Sequence, residues 1–175
     1  MEYIMTGRQK IESALSPSGT NEIPAVICYE GIYIRDHWEQ LTSCPWWYQY
    51  SPDIELQLQW YRNVITRTGQ DWFYLPFFYS RKERKNVSIE INSEGIFQIN
   101  KRTGKKYKLS KPQVAGWSES GGLHSHHPQR LIDNVDEIDN AIYVSEDFDP
   151  KWSIADGRND LALGLLDEFK DLYPI

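Results

Sequence analysis

The stretch EGIYIRDHW sets a carboxylate, a phenol, a guanidinium and an imidazole within eight residues, as Glu30, Tyr33, Arg35 and His37. It directly follows IPAVICY, whose continuous apolar run from Ile23 to Tyr29 is what a strand covered on both faces requires. Ligands of parallel sheets gather outside the carboxyl ends of their strands. The four side chains therefore make a candidate substrate pocket, on a loop with a short helical piece near Asp36 to Leu41. The same residue types also make an ordinary salt-bridged packing loop.

Three further groupings carry chemistry by type. In GGLHSHHPQ, His124 and His126 alternate, so an extended segment would put both on one side, as a metal site uses; His127 follows. No cysteine or spaced carboxylate completes a coordination set there, so the histidines are weak metal ligands and equally a polar loop between glycines and Pro128. CPWWYQY offers rings that could stack on a planar ligand or serve as core. RKERK, residues 81–85, reads as a solvated basic turn.

The elements that must position these groups follow from periodicity. Thr6 is placed to cap a helix over about Gly7 to Ser16, with Ile11 and Leu15 on one face. SPDIELQLQWYRNVITRTG is a strong helix signal: Ser51 as cap, Pro52 in the first turn, Asp53 and Glu55 at the positive end of the dipole, Gly69 as terminator. Its expected buried stripe is Ile54, Leu58, Tyr61 and Ile65. DWFYLPFF supplies a strand from Trp72 to Leu75, ended by Pro76. Strand, crossover helix and strand make a βαβ unit with parallel strands.

The pattern then changes. NVSIEINSEGIFQINKRTGKKYKL alternates apolar and polar residues between turn signals, which predicts solvated antiparallel hairpins over about residues 86–110. LIDNVDEIDNAI reads as a short acidic helix, and SEDFDPKWSIADGRND as a loop. Leu161, Leu165, Phe169 and Leu172 recur at helical spacing, predicting a last helix from Asp160 to Leu172. Tyr173, Pro174 and Ile175 read as the approach to another strand.

The 175 residues suffice for one core and argue for a single segment. Seven Trp and eleven Tyr carry too much ring surface for a disordered chain. A net charge of -6 provides no broad basic field, so nucleic acid is excluded as a partner. Cys28 and Cys44 are too few for a disulfide framework, and with no secretory signal in the first twenty residues the expected setting is cytoplasmic. No apolar run of about 18 residues predicts a membrane span.

The order of a leading helix, MTGRQKIESAL, then IPAVICY, an aromatic loop, a capped helix, DWFYLPF and hairpins including GIFQINKRTGKKYKL resembles the uroporphyrinogen decarboxylase superfamily. That superfamily includes cobalamin-dependent methyltransferases. The resemblance covers nearly the whole chain and lies in order and texture more than in a catalytic signature. It implies an α/β fold, the N-terminal part of a TIM (β/α)8 barrel with an inserted antiparallel β-hairpin region, so that the chain would stop before the third strand.

The decarboxylase pattern departs from this sequence at its key groups. Where that enzyme carries an Arg-Gln-Ala-Gly-Arg loop after its first strand, Tyr29 and Tyr33 stand here, with Arg35 as the nearby cation. Where it carries an Asp at the end of the second strand, Leu75 and Pro76 stand. The methyltransferase branch is left by exclusion. It implies methyl transfer between a corrinoid and a thiol-type acceptor, with zinc held by the later half of the barrel, no cofactor in this segment, and an isolated chain that is inactive. The alternatives are a tetrapyrrole decarboxylase and a non-enzymatic α+β binding module.

Overall fold

A computed structural model of the chain describes residues 4–114 and 151–175. The first helix, α1 (Gly7–Ala14), starts on a reciprocal cap: Thr6 Oγ1 accepts from the Gln9 amide at 3.3 Å and Gln9 Oε1 accepts from the Thr6 amide at 2.9 Å. It stops short of the expected Ser16. Ile11 is buried, whereas Leu15 lies past the last turn and is exposed. Gly7 sits so close to the next layer that a Cβ would stand 2.8 Å from the Cα and carbonyl oxygen of Asp71.

The apolar run from Ile23 to Tyr29 is not the buried strand that its composition predicts. Ile23 is 90% exposed and Val26 39% exposed. The reason lies in its hydrogen bonds. The Asp71 amide donates to Ala25 O at 2.8 Å, but the Ala25 amide is taken by Asp71 Oδ2 at 2.7 Å and the Ile27 amide by Gln70 Oε1 at 3.1 Å. Two side-chain oxygens thus stand where a neighbouring strand's carbonyls would be. The βαβ unit expected from this segment is accordingly not formed.

EGIYIRDHW, expected as a loop with a short helical piece near Asp36 to Leu41, is helical already from Glu30. Helix α2 (Glu30–Leu41) buries Ile34, Trp38 and Leu41 at helical spacing and bends at His37 (φ -117°, ψ 16°). Tyr29 precedes it in the left-handed region (φ 57°), with no side-chain cap. Pro45 then leads into a 3₁₀ turn, Trp46–Tyr50, and Ser51 accepts from the Asp53 amide.

Helix α3 (Ile54–Thr68) is capped by Asp53 rather than by the expected Ser51, and closed by Gly69 in the left-handed region (φ 61°). Its buried residues are Gln57, Trp60, Val64 and Ile65, with Leu58 and Tyr61 partly buried beside them. The stripe is rotated from the expected one because Trp60 and Gln57 go inside. Gln57 can do so since its polar atoms are all matched: Nε2 donates to Tyr48 O (2.7 Å) and Ser51 O (2.8 Å), and Oε1 accepts from Trp60 Nε1 (2.8 Å).

Strand β1 (Trp72–Phe73) follows, then helix α4 (Arg81–Asn86). The RKERK run is thus a short helix rather than a turn, fixed by a reciprocal cap between Ser80 and Glu83. The hairpins form as expected. β2 (Val87–Asn92), β3 (Gly95–Asn100) and β4 (Lys106–Leu109) make an antiparallel meander, with Gly95 (φ 136°) at the first turn and Gly104 (φ 69°) at the second.

After a short helix, α5 (Trp152–Ala155), helix α6 (Asp160–Glu168) buries Leu161, Ala162 and Leu165. It ends before the expected Leu172, and Phe169 and Leu172 pack from the following turn. The last residues form β5 (Tyr173–Pro174), parallel to β1 with Trp72 opposite Tyr173 and Phe73 opposite Pro174.

Two apolar clusters hold this together. One joins Ile34, Trp38, Leu41, Cys44, Trp60 and Val64 between α2 and α3; the other joins Ile65, Phe73 and Leu165 under α6; Tyr61 packs against both. The described residues form two small sheets, of two and three strands, and not a closed barrel. Among them no helix is long and apolar enough to cross a membrane.

Candidate functional site

Within β1 and just past it, side chains alternate between two faces. Phe73 points into the core and is fully buried, so Trp72 and Tyr74 point the other way. There they border a cavity of about 510 Å³, together with Ile175 beyond β5, Cys28 to Gly31 at the start of α2, and Gln49, Trp60 and Tyr61. Tyr74 and Ile175 are the residues that follow β1 and β5, so the cavity opens at the carboxyl ends of the parallel pair.

Among the described residues that line it, Glu30 is the one acidic side chain. Gln70, itself buried, donates from Nε2 to Glu30 Oε1 while its Oε1 accepts from the Ile27 amide at 3.1 Å and from Trp72 Nε1 at 3.0 Å. The Gln70 amide is thus held through its oxygen by two donors and turns one N–H to Glu30, which positions the Glu30 side chain. Burial raises the Glu30 pKa above the ordinary carboxyl range, and the hydrogen bond from Gln70 offsets part of that. The Tyr61 hydroxyl is also pushed up, by burial first and then by the charges of Glu30 and Tyr74. The cavity thus presents one carboxyl held in place by Gln70 and aromatic rings on which a flat ligand could stack.

The predicted site residues are dispersed by the helix. Glu30 lines the cavity, but Tyr33, Arg35 and His37 do not. Tyr33 and His37 lie one turn apart with their rings in tilted contact, centroids 4.5 Å apart, and His37 Nδ1 lies 2.8 Å from Gln40 Oε1. Arg35 Nε donates to Asp36 Oδ1 at 2.7 Å. His124, His126 and His127 lie outside the described residues, as does LIDNVDEIDNAI. Trp46 and Tyr48 of CPWWYQY pack against the core, while Gln49 reaches the cavity.

No protein-family model matches the chain. Neither does a curated protein or a solved structure.

Trp72, Tyr74 and Gln70 are functional candidates that the residue types alone did not single out. The alternation in DWFYLPFF could have found the first two, because a strand with Phe73 inward must turn its neighbours outward. Nothing in the sequence marks Gln70.

Proposed function

We propose that this chain forms the ligand-facing front part of a (β/α)8-type enzyme similar to the methyltransferase branch of the uroporphyrinogen decarboxylase superfamily. Its cavity would receive a flat, largely apolar ring. The observation that carries this is the placement of Glu30, Trp72 and Tyr74 around one cavity at the carboxyl ends of a parallel strand pair, where α/β enzymes assemble their sites.

The volume lies within the roughly 300–1,000 Å³ of small-molecule pockets, and it suits one edge of a corrin ring rather than the whole macrocycle. The resemblance places zinc elsewhere in the parent; among the described residues no group of three or more His, Cys, Asp or Glu is arranged to hold a metal. Cys28 and Cys44 are both free thiols, which supports a reducing, cytoplasmic setting. A second reading, a non-enzymatic α+β module that grips a planar ligand, is favoured by the aromatic walls of the same cavity.

Equilibrium dialysis of the chain against hydroxocobalamin and against uroporphyrin tests the proposal. Saturable retention of the corrinoid, weakened several-fold by Tyr74→Ala and unaffected by Arg35→Ala, is expected. Retention of neither macrocycle would overturn it, and retention of small planar dyes alone would favour the module.

A further inference from the structure

A larger cavity, of about 850 Å³, lies on a different part of the molecule, where α4, the β meander and the segment before α6 converge. Four cationic side chains border it, Arg81, Lys82, Arg102 and Arg158, on a protein whose net charge is -6. Its two bordering carboxylates are already engaged. Glu83 accepts from the Ser80 amide at 2.8 Å and pairs with Arg158 at 2.9 Å, and Asp156 pairs with Arg158 at 3.0 Å. Arg81 is committed to Asp160 at 2.8 Å.

Lys82 and Arg102 are the exception. Among the described residues neither makes an ion pair, although they approach the cavity from separate elements, α4 and the turn between β3 and β4. The neutral groups beside them add donors. Tyr79 accepts from Gln98 Nε2 at 3.3 Å, which leaves its O–H to donate, and Asn100 uses only its oxygen, accepting from the amides of Arg102 and Thr103 at 3.1 Å. Tyr107 completes this side with a further hydroxyl. Uncommitted donors from four chain segments thus face one space in which the carboxylates are spoken for.

We propose that this cavity binds the phosphate group of a small phosphorylated molecule. An ammonium and a guanidinium set apart on different elements, with hydroxyl and amide donors beside them, match an anion with several charged oxygens better than they match a single carboxylate. The size of the cavity leaves room for an organic body beyond the phosphate. The site is separate from the Glu30 cavity and does not depend on the function proposed for it.

Isothermal titration calorimetry of the whole chain with pyrophosphate, inorganic phosphate and succinate, at constant ionic strength, tests the assignment. Saturable binding of pyrophosphate is expected, with inorganic phosphate weaker and succinate weaker still. Lys82→Gln and Arg102→Gln should each weaken pyrophosphate binding about tenfold, the scale of one charge-assisted contact. Lys101→Gln, a neighbouring exposed charge that does not border the cavity, should leave it unchanged. Because the two variants lie on different elements, a folding defect in one leaves the other to decide. No saturable binding, an equal loss in Lys101→Gln, or succinate binding as well as pyrophosphate would overturn the proposal.

Discussion

Tyr61 stacks on Trp60, the next residue in α3, with ring centroids 3.8 Å apart and 27° between the planes. Trp60 meets Trp38 of α2 on one side at 5.5 Å, and Tyr61 reaches the cluster of Ile65, Phe73 and Leu165 on the other. The pair is therefore the joint between the two apolar clusters. Tyr61→Ala should cost about 3–5 kcal/mol, as truncation of large buried aromatics does. Tyr61→Phe keeps the ring and should cost about 1 kcal/mol or less. Urea denaturation of both variants checks the difference, and similar losses would mean that the hydroxyl rather than the ring matters.

Asp71 ties three elements together. Its carboxylate takes the Ala25 amide at 2.7 Å and Lys10 Nζ of α1 at 3.3 Å, and its carbonyl takes the Tyr173 amide of β5 at 2.9 Å. Asp71→Ala leaves the Ala25 amide without its acceptor and should destabilise by about 1–3 kcal/mol. Asp71→Asn retains an acceptor oxygen and should lose less. A thermal melt that ranks the two the other way would show that charge dominates.

Two acids should act oppositely on stability as pH changes. Burial works against ionisation of Asp160, but hydrogen bonds from Arg84 and Arg81 outweigh it and hold the pKa below its ordinary value. Its contribution is present above the unfolded pKa of about 4 and is lost as pH falls through the lower folded value. Glu30 is raised by burial. Its protonated form suits the folded state, so its contribution is full below about pH 4 and declines as pH rises through the folded pKa. Glu30→Gln should remove the decline, and Asp160→Asn should remove the acid-side loss. Melting curves from pH 3 to 8 would reveal either assignment as wrong if the corresponding limb persisted in its variant.

Arg35 pairs with its neighbour Asp36 and does not border the Glu30 cavity. Arg35→Ala should therefore leave folding within about 0.5 kcal/mol, as surface substitutions do. Chemical denaturation checks this, and a loss of several kcal/mol would show that the guanidinium supports α2.

The strong signals in the sequence were those with a local physical cause. Caps at Thr6 and Gly69, and the alternation from Val87 to Leu109, depend on residues a few positions apart, and those features stand where they were expected, although α1 ends at Ala14 and α3 is capped by Asp53 rather than Ser51. IPAVICY failed because apolar composition reports a preference for burial but not whether a partner ladder exists; Asp71 and Gln70, more than forty positions away, took its amides. EGIYIRDHW was hidden by its polar content, although Ile34, Trp38 and Leu41 already held helical spacing. Of the candidate pocket only Glu30 was legible. Its partners Gln70 and Trp72 come from a different stretch of chain and meet it only in the folded molecule.

The pairing of Trp72 with Tyr173 bears on how the molecule reaches its native state. The ladder closes a loop of about a hundred positions, yet chain statistics add only about 0.6 kcal/mol for each doubling of a flexible loop, so the long excursion weakens the pair little once formed. Its effect is on rate. A two-residue parallel contact between distant positions returns little free energy until α6 has docked on α3 through Leu165 and Ile65, so the strand pair should assemble after the helices do. Changes at Leu165 should accordingly slow refolding, whereas changes at Tyr173 should speed unfolding.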